Sequence, residues 1–87
     1  MTRIEIEETT VAELAGVRVG MGNAVLSGEY ELPDGSRGTG AACGLFWEDG
    51  DVWVGKGTVF ALAGTTWRVV ELTKERGVLG SVVLEAQ

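Results

Sequence analysis

An all-β fold, a small single-domain antiparallel barrel or sandwich of about eight short hairpin-connected strands over residues 1–87, is predicted by three observations. Apolar and polar residues alternate with period two over most of the chain, as they do when one face of a strand is buried and the other is wet. Turn signals recur roughly every 8 to 12 residues, the spacing of small sandwiches and barrels. Fourteen glycines, a single proline and a hydrophobic share of 45% describe a folded chain with many reversals.

The stretch Asp51–Leu72, DVWVGKGTVFALAGTTWRVVEL, organises the rest. A two-residue loop at Ala63-Gly64 pairs Leu62 with Thr65 and Phe60 with Trp67, so Phe60, Leu62, Trp67 and Val69 share one face. Val59, Ala61, Thr66 and Arg68 share the other. A slip of one residue turns Phe60 and Trp67 towards water, so the register is strongly specified. Ala63 is a poor residue for the positive φ of such a turn, which leaves a loop one residue longer as the alternative.

Taken in order, residues 2–8 read as a strand with Ile4 and Ile6 on one side and Arg3, Glu5 and Glu7 on the other. Residues 9–15 combine capping-box spacing at Thr10 and Glu13 with β-branched Thr9, Thr10 and Val11; a single helical turn ending near Gly16 is expected. Val17, Val19 and Met21 then alternate up to Gly22-Asn23, which offers a two-residue turn. Reflection across it sets Val19 opposite Leu26, with Gly28, Tyr30 and Leu32 following on the same face. Pro33-Asp34-Gly35 forms the next reversal and places Glu31 opposite Arg37 and Tyr30 opposite Gly38, where a ring covers bare backbone. The strand from Ser36 to Trp47 carries Gly38, Gly40 and Gly44, which suggest bends or bulges. A three-residue loop, Glu48-Asp49-Gly50, sets Trp47 against Asp51, Phe46 against Val52 and Leu45 against Trp53. Gly55-Lys56-Gly57 bends the chain, Thr73–Gly77 is a polar loop, and Val82 and Leu84 face inward on a closing strand.

Composition narrows the function. The net charge is −6, from thirteen acidic and seven basic residues, and residues 1–34 alone hold seven acids against two bases. Such a surface repels phosphates, so nucleic acid is not an expected partner. It keeps a small protein soluble, the ordinary role of such acidity; a basic partner docking on the acidic first third is the sharper, less common reading. No apolar run approaches the ~20 residues that span a bilayer, so no membrane association is expected. A lone Cys43 and the lack of a basic, apolar leader point to the cytoplasm.

Catalysis is not expected. There is no histidine, which removes the commonest general base and metal ligand. Cys43, within AACGLF, reads as a small buried thiol. Glu48, Asp49 and Asp51 are the densest carboxylate group, but their spacing fits no calcium loop and a hairpin turn accounts for them. Lys56 between two glycines lacks the rest of a phosphate-loop pattern. No catalytic residue, cofactor or metal is assigned.

Sorting fails at one place. With the three-residue loop, Phe46, Val52 and Val54 take the inside, and Leu45, Trp47 and Trp53 are left together on the opposite side with Cys43 behind them. Clustered exposed aromatics mark a binding surface, so Leu45, Trp47 and Trp53 are the candidate partner-binding residues. The alternative is a bulge at Gly44 or a barrel corner that buries both faces. The hairpin pattern Gly57-x-x-Phe60-x-Leu62-x-Gly64-x-x-Trp67-x-Val69 resembles small uncharacterised β proteins of actinobacteria over roughly the last 35 residues. Those proteins have no assigned activity, so the resemblance carries over no functional residue. The expected function is a non-catalytic protein-interaction module, docking on a protein partner or on its own copy and inhibitor- or immunity-like in one version. A binder of small molecules or carbohydrates, using the barrel interior or an exposed tryptophan platform, is the alternative.

Overall fold

The computed structural model describes residues 2–87 as eight antiparallel strands. They are β1 Arg3–Glu7, β2 Val11–Leu14, β3 Val17–Glu31, β4 Arg37–Trp47, β5 Gly50–Gly55, β6 Val59–Leu62, β7 Thr65–Glu75 and β8 Val78–Ala86. Two four-stranded sheets result, ordered β1-β8-β7-β6 and β2-β3-β4-β5. The chain changes sheet at two corners, between β1 and β2 and between β5 and β6. The two layers are joined at these corners and enclose one core, so the all-β expectation holds in barrel-like form.

The two sheets share one motif: β1, β2 and β3 correspond to β5, β6 and β7 at an offset of 48 positions, and β4 corresponds to β8. Thr10-Val11-Ala12-Glu13-Leu14-Ala15-Gly16 recurs as Thr58-Val59-Phe60-Ala61-Leu62-Ala63-Gly64. At the corners, the amide of Thr9 donates to the carbonyl of Met21 (3.4 Å) and that of Gly57 to Val69 (2.8 Å); Thr10 donates to Glu7 (3.1 Å) and Thr58 to Gly55 (3.0 Å). Both hairpin turns hold both central residues at positive φ, 49° and 84° at Ala15-Gly16 and 52° and 79° at Ala63-Gly64. That turn matches the twist of paired strands. The ladders repeat as well: Arg3↔Glu85, Ile4↔Leu84 and Ile6↔Val82 correspond to Asp51↔Phe46, Val52↔Leu45 and Val54↔Cys43. Beside β8, therefore, β1 stands where β5 stands beside β4, although it comes from the other end of the chain.

The interior is filled by the inward alternates of both copies. Ile6, Leu14, Val19, Met21, Cys43, Leu45 and Val54 meet Phe60, Leu62, Trp67, Val69, Leu72, Val82 and Leu84 in one buried cluster. The expected register of the β6–β7 hairpin is observed residue for residue. Trp67 contributes its ring at a cost, since its Nε1 is buried without a hydrogen-bond partner. Tyr30 opposite Gly38 and Glu31 opposite Arg37 are also as expected.

Four expectations are corrected. Residues 11–14 form a strand paired with Val17–Gly20, not a helical turn, because Ala15-Gly16 supplies two consecutive left-handed residues and so a tight reversal. Gly22-Asn23 is not a turn: of the two only Asn23 has positive φ (54°), so the chain forms an irregularity within the continuous β3 and Leu26 is exposed. The loop after Trp47 has two residues, since Trp47 pairs with Gly50. The polar loop expected at Thr73–Gly77 shortens to Arg76-Gly77, with β7 continuing to Glu75. The strand count stays at eight because one expected strand pair merged while an expected helical turn became a strand.

Where one copy has Gly57 at its corner (φ 97°), the other has Thr9 (φ 68°), and a β-branched residue is strained there. Replacing Thr9 with Gly should raise the unfolding free energy by about 1 kcal/mol in urea melts with an unchanged m-value. No gain would mean that the corner of the first copy does not have the geometry of the second.

Candidate functional site

The two-residue loop at Glu48-Asp49 decides which side chains are outside. It pairs Cys43 with Val54 and Leu45 with Val52, directing all four inward, and pairs Gly44 with Trp53 and Phe46 with Asp51 on the outer face. Leu45 is fully buried, and Trp47 is half-buried with its ring stacked on Phe60 at a 6.5 Å centroid distance and 17° between planes. Of the three residues expected to form a surface, then, Leu45 and Trp47 belong to the interior and only Trp53 faces out. Phe46, expected inside, joins it. They are 39% and 40% exposed, respectively. The physical reason is the register: Gly50 pairs within the ladder opposite Trp47, with a Cβ there 3.2 Å from Trp47 Nε1, so the loop is one residue shorter and the faces of β5 exchange.

The outer face has a floor of glycine. The ring of Phe46 lies over Gly44 and Gly22; a Cβ at Gly44 would stand 2.6 Å from its Cζ. Trp53 covers Gly28 and is pinned by its Nε1, which donates to the carbonyl of Glu29 at 2.8 Å. Tyr30 completes the row, buried against Gly38 and Gly55, where any Cβ would strike its ring. Flat rings on bare backbone stabilise strands that glycine would otherwise weaken. They also present preorganised aromatic faces to solvent, and Val11 and Val25 extend the apolar surface along β2 and β3.

The internal duplication supplies a control. In the other sheet the position of Trp53 is held by Glu5, that of Phe46 by Glu85 and that of Gly44 by Val83. That face is charged and carries the Arg3–Glu85 ion pair (2.7 Å). One framework thus supports a polar face and an aromatic one. Open grooves flank them. One of about 780 Å³ is bordered by Phe46, Trp47, Arg18, Glu48 and Asp49; the other, about 560 Å³, by Trp53, Glu31, Pro33 and Thr58.

The perturbed titratable groups serve the framework. Burial, with the nearby charge of Glu8, pushes the Cys43 thiol up to about 12, which keeps it a protonated core residue. Hydrogen bonds from the Ser36 hydroxyl and amide lower Asp34 in the turn. Glu8 is lowered chiefly by Lys74, whose Nζ lies 2.8 Å from Oε1, and next by the amide of Gly80. Among the described residues no three metal-ligating side chains converge, and no helix is long and apolar enough to cross a membrane. No family model, curated protein or solved structure matches the chain.

Phe46 was legible as a surface residue only through the correct loop length. The repeat of Thr-Val-x-x-Leu-Ala-Gly held that signal: aligned at an offset of 48, it sets Val52 and Val54 against Ile4 and Ile6, and Trp53 against the polar Glu5.

Glu8 also gives the fold an acid limit. A carboxylate whose folded pKa lies below its ordinary value of 4.5 contributes stability that is present above that value and lost as pH falls through the lowered one. Replacing Glu8 with Gln should cost about 1 to 2 kcal/mol at pH 7 through the lost ion pair and weakened hydrogen bonds, with the gap to wild type closing as pH falls from neutral to below the ordinary carboxylate value of 4.5. Denaturant melts across that range check it; a constant gap would show that the carboxylate charge contributes nothing.

Proposed function

We propose that this chain is a non-catalytic protein-interaction module that docks a protein partner on the outer face of the β2–β5 sheet, with Phe46 and Trp53 as its anchors. The observation that carries the reading is the contrast within the duplication: equivalent framework positions hold Glu5 and Glu85 on one face, Trp53 and Phe46 on the other. Aromatic residues are enriched at the centres of interfaces because each removes a large area from water with few rotatable bonds. Both rings rest on glycine, so little ordering is left to be done on binding. An inhibitor- or immunity-like protein that caps its target is one form of such a module.

A second reading has its own observation. The groove beside Trp53, bordered by Glu31, Pro33 and Thr58, offers a ring face with polar neighbours, which suits a sugar or another small polar molecule. Saturable quenching of tryptophan fluorescence by a metabolite that Trp53→Phe abolishes would favour it.

Trp53→Glu and Phe46→Glu place in the aromatic face the residue type its counterpart already carries; both variants should stay folded with the wild-type circular dichroism, melting lower because each uncovers the glycine beneath its ring. Affinity capture from the native cell should lose the bound protein with either variant and keep it with Glu5→Gln and Glu85→Gln. Sedimentation of the purified chain separates a distinct partner from a second copy. Retention of the same bound protein by both aromatic variants would sink the reading.

A further inference from the structure

We infer that the occupant of the aromatic face is a cationic protein segment, one that sets arginine or lysine side chains around an apolar contact. This rests on the docking role proposed for Phe46 and Trp53 and adds the chemistry of the partner. Two observations lead to it. First, exposed carboxylates ring the two anchors: Asp51 is the cross-strand neighbour of Phe46, Glu48 and Asp49 border the groove beside it, and Glu31 borders the groove beside Trp53. Arg18 is the one basic residue among those bordering either groove. Second, the ion pairs among the described residues, Arg3–Glu85 and Lys74–Glu8, both belong to the other sheet and its corner. Two carboxylates of that side, Glu85 and Glu8, are thus met by cations of the chain itself, whereas none of Glu31, Glu48, Asp49 and Asp51 around the anchors makes such a pair.

Their geometry suits one kind of visitor. Each exposed ring presents a negative π face within reach of a carboxylate, and a guanidinium or ammonium group settling there meets both. A net charge of −6 draws cationic partners from a distance and repels anionic ones. The apolar centre then selects among cations, because a purely charged chain gains nothing from Phe46, Val11 or Val25.

The test uses the full chain, labelled with 15N, and the capped peptide Arg-Leu-Arg-Leu-Arg as probe, with the same peptide carrying citrulline for arginine as the uncharged control. Backbone and indole shifts should move at Glu48, Asp51, Trp53 and Glu31 and stay still at Glu5, Glu7 and Glu85. Asp51→Asn with Glu48→Gln should weaken binding at least fivefold, Phe46→Ser comparably, and the citrulline peptide should bind at least tenfold more weakly. Glu5→Gln with Glu7→Gln makes the same change in net charge and should stay within twofold of wild type.

Equal losses from the two double variants would overturn the inference, since binding would then follow net charge alone. Absence of any shift up to millimolar peptide would overturn it as well. Should capture in the cell lose its protein with Trp53→Glu yet tolerate Asp51→Asn with Glu48→Gln, the docking face would stand and only its cationic occupant would fall.

Discussion

Every strand here has two faces and the barrel has one interior, so the pairing register decides the molecule. Leu45 opposite Val52 and Cys43 opposite Val54 fill the space that Leu84 opposite Ile4 and Val82 opposite Ile6 fill in the second copy. Moving β5 by one residue against β4 would put Trp53 inside and Val52 and Val54 in water. Two-residue turns, with both central residues left-handed at Ala15-Gly16 and at Ala63-Gly64, hold the matching hairpins to matching registers. The close agreement of the two ladders makes the fold a repeated solution to one packing problem.

The repeated framework also separates what the fold needs from what it merely carries. Inward positions are apolar in both copies. Outward positions diverge, to charge on the β1-β8-β7-β6 sheet and to glycine under aromatic rings on the other. The longer β3–β4 hairpin belongs only to the second arrangement: it curves through irregularities between Gly22 and Gly28, brings Glu29 to the Trp53 indole, and brings Tyr30 over Gly55. Its carbonyl at Glu31 accepts the Thr58 hydroxyl at 3.1 Å, tying the hairpin to the β5–β6 corner. Structure has thus been added to one copy around the residues that face solvent.

Much of this was legible from the residues. Period-two alternation identified the inward sets around Ile4 and Ile6, Val17 to Met21, Phe60 to Val69, and Val82 and Leu84, because a half-wet strand advertises its face. Alternation said little where both faces are apolar, from Ala41 to Val54, and there the outcome hung on a loop of two residues or three. Gly50 has the composition of a loop residue, yet it is a strand residue paired with Trp47. Alanine is a poor left-handed residue, yet tertiary pairing holds Ala15 and Ala63 there at φ 49° and 52°: the two-residue loop expected at Ala63-Gly64 is observed, and its twin at Ala15-Gly16 stands where a helical turn was expected. Asn23, a favoured turn residue, made an irregularity within a strand because its neighbour did not follow it into the left-handed region. The candidate site inherited the loop error, keeping Trp53 and exchanging Leu45 and Trp47 for Phe46.

Cross-strand nuclear Overhauser contacts between β4 and β5 read that register without reference to any partner. The arrangement described predicts contacts between Gly44 and Trp53 and between Phe46 and Asp51. Contacts between Leu45 and Trp53 and between Phe46 and Val52 would contradict it, returning Phe46 to the interior and removing the aromatic face.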